Sequence, residues 1–218
     1  MAKLLLESGA QSSLYHKAKD KDNNIPIIFA IFRENIDMVK LLLIYHEQNK
    51  EMSLQNFGGA ICWAAQVGNI EIIKLLVKSL GPSLVHLRGS NNNTALHAAS
   101  RYNNTEVIEF LLELGADVKS VVCGEFTPLT CAAVYISPDS AKALLAAGAA
   151  VNHVTINGQT PLDLAHYTYD VHPDVVTSRL HLRLHLFDEL IKVLEDEGGL
   201  RVAELPDDDD ENGEDDHA

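Results

Sequence analysis

Cysteine is scarce in this chain. Cys62, Cys123 and Cys131 are the only three in 218 residues, an odd number with no C-x-x-C spacing, so neither a disulfide framework nor a thiolate metal site is encoded. Aromatic residues make up 6%, and any core must be built from Leu, Ile, Val and Ala. Long apolar runs are missing. Leu4, Leu5 and Leu6 form too short a stretch for a secretory signal or a membrane span. Positive charge is also sparse: 17 Lys and Arg stand against 31 Asp and Glu, and the net charge is −14. Phosphate-backbone binding needs clustered cations, which speaks against a nucleic-acid partner. No G-x-x-x-x-G-K-S/T, G-x-G-x-x-G or H-E-x-x-H occurs, so nucleotide and zinc-hydrolase chemistry lack their usual cradles.

What is present is a repeated phrase. It reads I-P-I-I-F-A-I from Ile25, G-A-I-C-W-A-A from Gly59, T-A-L-H-A-A-S from Thr94, T-P-L-T-C-A-A from Thr127 and T-P-L-D-L-A from Thr160. The starts lie 34, 35, 33 and 33 residues apart. A fixed period of this size means a stack of small units rather than one closed core. Thr94 and Thr127 are placed to cap a helix, and Pro128 sits where its missing N–H costs nothing. Leu96 and Leu129 point inward, and the alanines after them keep the helix thin. A second helix follows, with Val107, Ile108, Phe110, Leu111 and Leu112 covering more than one face, as a helix between two neighbours requires. Gly115 and Gly148 end such helices. A short extended stretch then leads to the next Thr-Pro.

The T-P-L-x-x-A phrase, the E-x-I/V-x-x-L-L helix and the G-A-D/A-V stop resemble the ankyrin repeat. The resemblance is strong from Asn91 to Asp163 and degraded from Asp20 to Leu80. It implies an all-α ankyrin-type solenoid of helix-turn-helix units with short β-hairpins and an extended C-terminal capping helix. The expected organisation is a partial N-terminal capping unit at 1–19, four repeats over 20–159, a modified fifth repeat and C-terminal cap with an insertion at 160–200, and an acidic disordered tail at 201–218. The segment from Lys3 to Ala10 reads as the end of a second helix, either a reduced cap or the remainder of a unit whose start lies upstream. After Pro173 a long amphipathic helix is expected to run to Asp196. Eight acidic residues fall between Asp207 and Ala218, leaving the body near −6.

The family's histidine, which ties neighbouring hairpins together, survives only as His97. Ile28, Cys62, Thr130 and Asp163 replace it elsewhere, and the hairpins beside the first two units are expected to be less rigid. Trp63 shares a column with Phe29, Ala98, Cys131 and Leu164 and reads as core. His181 and His185 lie four apart on the predicted helix, with His166 and His172 upstream, but no matched acid or Cys completes a metal site. A pair of Cys62 or Cys131 with His97 lacks an oxyanion loop and an orienting acid. The expectation is therefore a non-enzyme with no catalytic residue, metal or cofactor.

The resemblance implies a concave groove made by the hairpin tips and the exposed faces of the first helices. Its exposed pairs are Phe32 and Arg33, Gln66 and Val67, Arg101 and Tyr102, Val134 and Tyr135, and Tyr167 and Thr168. Its tips are Asp22 to Asn24, Asn56 to Gly58, Asn91 to Asn93, Gly124 to Phe126, and Asn157 to Gln159. Aromatics and Arg dominate interface hot spots, which singles out Phe32, Arg33, Phe57, Gln66, Arg101, Tyr102, Phe126, Tyr135 and Tyr167 as partner-binding. Five units stacked about 8–10 Å apart give a groove long enough for a protein interface and too open for a small metabolite. The expected protein is a cytoplasmic monomer that binds a protein partner and neither nucleic acid nor membrane. A bacterial effector working in a host cytoplasm also fits. The alternative is a regulatory or inhibitory subunit that uses its acidic tail on a basic partner, and the minor one a metal-dependent activity at the C-terminal histidines.

Overall fold

The computed structural model describes residues 26–49, 54–89, 92–171 and 180–205. Within these, ten α-helices form five antiparallel pairs. The first helix of each pair is α1 (Pro26–Phe32), α3 (Gly58–Val67), α5 (Ala95–Arg101), α7 (Pro128–Val134) or α9 (Pro161–Val171). The second is α2 (Ile36–Asn49), α4 (Ile70–Leu80), α6 (Thr105–Glu113), α8 (Pro138–Ala146) or α10 (Leu180–Asp196). First helices pack on first helices along the stack, second on second, and each first helix packs on its own second. The result is a two-layer solenoid with one continuous core.

The inner layer is thin because its buried face is largely alanine. Ala64, Ala65, Ala99, Ala132, Ala133 and Ala165 are fully buried. Larger residues fill the space between the layers: Ile61, Leu96 and Leu129 from the inner helices meet Ile73, Ile108, Leu111 and Leu144 from the outer ones, all at 1% exposure or less. Burying such a side chain stabilises by about 1.5–3 kcal/mol.

Local chemistry sets the helix ends. In α7, Thr127 Oγ1 accepts from the Thr130 N–H at 3.2 Å and Thr130 Oγ1 accepts from the Thr127 N–H at 2.7 Å, a reciprocal capping box with Pro128 at the first helical position. Asn69 Oδ1 caps α4 by accepting from the Ile72 N–H at 3.2 Å. Between inner and outer helix the chain turns through one residue in the left-handed region: Glu34, Gly68, Asn103 and Ile136, with φ of 51°, 81°, 56° and 52°. For the β-branched Ile136 this costs about 1–2 kcal/mol. Its side chain is only 7% exposed, and that burial offsets the strain.

The expected β-hairpins are minimal. Single antiparallel bridges join Arg88 to Thr94 and Val122 to Phe126, and the described residues hold no longer strand. The hairpins are tied sideways instead. Arg88 Nη1 donates to the carbonyls of Asn92 at 2.8 Å and Val121 at 3.0 Å, and the Ile156 N–H donates to Gly124 O at 3.2 Å.

At the C-terminal end α10 is 17 residues long, against nine for α6 and α8. Phe187 from α10 stacks on Tyr169 of α9 at 4.2 Å between ring centroids. The chain then folds back over α9, where the Val202 N–H donates to Asp163 Oδ2 at 2.9 Å and the Leu200 N–H donates to Asn152 Oδ1 at 2.7 Å. The tail expected over 201–218 therefore starts later, since 201–205 hold the 3-10 turn Val202–Glu204 bonded to Asp163. The proposed partial unit at 1–19, the tip Asp22 to Asn24, the His172-Pro173-Asp174 loop and residues 206–218 lie outside the described residues.

Candidate functional site

The inner helices turn one open flank away from the outer layer, and the side chains there form the candidate site. At or near the end of each inner helix lies a pair of residues that the core covers only in part or not at all. Phe32 is 58% exposed, Tyr102 45%, Tyr135 42% and Tyr167 55%. Arg33 and Arg101 are exposed as well, while Gln66, Val67, Val134 and Thr168 are half-buried. Arg101 is the best defined of these. Its guanidinium carbon lies 4.1 Å from the ring centroid of Tyr135, one unit along, and 5.6 Å from that of Tyr102. Such cation–π contacts contribute about 0.5–1 kcal/mol at exposed sites.

Two expectations fail. Phe57 is not at the groove. It is 1% exposed, lies in the 3-10 turn Leu54–Phe57 that feeds α3, and packs on His46 with ring centroids 4.8 Å apart. The second unit has no capping threonine, and its entry is held by apolar packing instead. Gly58 is likewise the buried first residue of α3 rather than part of a tip. Trp63 is core only in part, packing against the buried cluster from its margin. It is half-buried, and its ring meets Phe32 edge to face at 6.0 Å. Phe29, in the same column, is 51% exposed. Along the same column Ala98 and Cys131 are half-buried and Leu164 is buried at 4% exposure, so the column lies at the margin between the alanine face and the open flank. Phe29 and the open edge of Trp63 join the aromatic surface.

Below the surface, His97 is 1% exposed and uses both ring nitrogens. Nε2 donates to Phe126 O at 3.1 Å, which leaves Nδ1 to accept from Thr94 Oγ1 at 2.8 Å. Burial pushes its pKa from 6.5 down to about 4, so the ring is neutral. Phe126 is half-buried, held through this carbonyl, with its ring against Gly124. Cys62 replaces the histidine in the second unit and makes the same contact with weaker chemistry: its thiol donates to Asn93 O at 3.3 Å. The hairpin tie is thus retained where sequence reading supposes it lost. Thr130 gives up that role for its cap, and His153 supplies the tie instead, Nε2 donating to Glu125 O at 2.7 Å.

Burial pushes the thiols of Cys62 and Cys131 up to about 12. Both stay protonated at neutral pH, and neither offers the thiolate that nucleophilic chemistry needs. His185 Nδ1 lies 3.9 Å from Glu189 Oε2, whose partner is Lys142. His166 packs on Phe187, and the side chains of His172 and His181 lie outside the described residues. No group of three His, Cys, Asp or Glu suited to a metal occurs among the described residues.

The stacked helix pairs, the left-handed turns and the His97 tie define a repeat protein of the helix-turn-helix solenoid class. Residues 27–122 match the family of ankyrin repeats, in three copies, and this stretch of the chain is an ankyrin-repeat stack. Ankyrin repeats are a protein-interaction module. Among similar proteins, glycerophosphocholine phosphodiesterase gde1 of Schizosaccharomyces pombe is 29% identical over 169 residues, 75% of this chain and 14% of that protein. Regulatory protein NPR5 of Arabidopsis thaliana is 37% identical over 103 residues, 46% of this chain and 20% of that protein. An L-asparaginase of Dirofilaria immitis is 32% identical over 143 residues, 64% of this chain and 23% of that protein. The chain therefore spans less than a quarter of the length of each of these relatives.

Proposed function

We propose that the chain is a non-enzymatic adaptor that binds a protein partner along the open flank from Phe32 to Tyr167. Arg101, Tyr102, Phe126 and Tyr135 form the centre of that surface, and Phe29 and Trp63 extend it at the N-terminal end. The observation that carries this reading is the exposed Arg101 stacked on Tyr135 across two units. Arginine and tyrosine are the residues most often found at the energetic centre of an interface.

The same surface fits a protein better than other partners. With two exposed arginines on that flank and a net charge of −14, the chain has little there with which to displace counterions from a nucleic acid. No helix among the described residues is long and apolar enough to cross a membrane. The setting we propose is a reducing cytoplasm, with the protein acting as a single chain. The three free cysteines suit that setting, and it would be a host's cytoplasm if the protein is an injected effector. Affinity capture with wild type and with Arg101→Ala/Tyr135→Ala tests the reading. Specific partners should be lost from the double variant and kept by a control change on the outer layer, Glu109→Ala. Full recovery by the double variant refutes it.

A further inference from the structure

Arg101 presents an unusual combination of restraint and vacancy. Its guanidinium is held over Tyr135 and beside Tyr102, and Cys131 beneath it lies close enough to feel its charge. Yet among the described residues no side-chain hydrogen bond or ion pair engages it. Two acids of the inner layer are committed elsewhere. Glu34 accepts from Asn69 Nδ2 at 3.1 Å, and Asp163 accepts from Thr160 and from the Val202 N–H. Glu125, at the neighbouring hairpin tip, makes no ion pair with it. The five N–H donors of Arg101 are thus positioned and unspent, in a chain whose net charge is −14.

The spacing of the surface adds a second constraint. Neighbouring units stand about 10 Å apart, a distance that an extended segment covers in about three residues. A planar guanidinium fixed against one ring matches a carboxylate in bidentate fashion. A phosphate more often recruits a cluster of arginines, and Arg33 is two units away. Resting on the groove reading above, we infer that Arg101 is the seat for the carboxylate of a single Asp or Glu in an extended, otherwise largely apolar segment of the partner protein. Apolar residues about three positions to either side lie on the flanking aromatics. Because the guanidinium is already ordered, little side-chain entropy is lost on binding.

Random dodecapeptides displayed on phage and selected on the full chain test this. The enriched sequences should share an Asp or Glu with an apolar residue about three positions away. In a synthetic copy followed by fluorescence anisotropy, replacing that acid with its amide should weaken binding about tenfold or more. Arg101→Lys should weaken it severalfold, and selection on Arg101→Glu should replace the acid with Lys or Arg. Peptides without an acid, weakened by Tyr135→Ala but indifferent to Arg101→Glu, would overturn the carboxylate seat and leave the groove standing. Peptides indifferent to changes at Phe32, Arg101 and Tyr135 alike would overturn both, as would a selection that enriches nothing. A phosphoserine in place of the acid that binds more than tenfold tighter would assign the seat to phosphate. Tightening of tenfold on removal of residues 207–218 would assign it to the chain's own acidic segment. Either result refutes the inference.

Discussion

The inner helix of the fourth unit begins with two threonines that cap each other, at 2.7 and 3.2 Å. The inner helix of the second begins at Gly58, with no side-chain cap at Phe57. A Cβ at Gly58 would overlap the carbonyl of Arg88 in the next hairpin. One unit fixes its entry with directional hydrogen bonds, the other by close approach of backbone and by burying Phe57. The third unit stands nearer the fourth: His97 bonds on both nitrogens, and the homologous Cys62 offers a single thiol. Two chemistries thus hold the same geometry, one polar and specific, the other apolar and shape-dependent. They respond differently to pH and to added volume.

Acid separates them most. His97 has a lowered pKa in the folded chain, so below its ordinary 6.5 the unfolded chain takes up the proton and the native one does not. Its stabilising effect is full above pH 6.5 and is lost as pH falls towards about 4. The loss is on the order of 3 kcal/mol, read as a pH-dependent difference in urea midpoint between wild type and His97→Gln. Cys62, protonated throughout this range, adds no such slope. Volume separates them in the other direction. Gly58→Ala should cost about 1–3 kcal/mol, the range for overpacking. Gly59→Ala, whose new methyl meets only the end of the Ile28 side chain at 3.2 Å, should cost far less, and a thermal melt of the two variants checks it. Thr127→Ala removes one half of the capping box and should cost about 1 kcal/mol. Cys62→Ala should be the mildest, under about 1 kcal/mol, since a thiol is a weak donor. If Cys62→Ala costs as much as His97→Ala, the two ties are equivalent and the contrast fails.

The features that chain order alone makes legible are local ones. Period, caps and glycine stops depend on a residue and its near neighbours, which is why Thr127, Pro128, Gly115 and Gly148 read correctly. Phe57 and Phe29 misread for a common reason. An apolar letter reports the transfer preference of a side chain, and whether that side chain is covered depends on how bulky the neighbouring units are at the same level. Trp63 packs on the core with one side and meets Phe32 edge to face with the other, a division that no single letter reports. Arg101 and Tyr135 are visible in sequence as exposed letters 34 positions apart, but their stacking is a product of the superposition of two units. The tie made by Cys62 escapes notice because the letter changes while the acceptor, a backbone carbonyl, does not.

The side-chain amides at the unit boundaries carry a consequence for how the molecule comes apart. Asn104 Nδ2 donates to the carbonyls of Ala65 and Gln66, one unit back, and the Ser140 N–H donates to Asn103 Oδ1 in the same manner. The extensive helix contacts likewise join only adjacent units. Among the described residues each unit is therefore clamped mainly by its neighbours, like links that transmit tension to the next link. Unravelling can start at an end and stop at any boundary. The backbone amides of α5 and α7 should then exchange with solvent more slowly than those of α1, and the Arg101–Tyr135 seat, which spans the α5–α7 boundary, sits on the part of the stack that opens last.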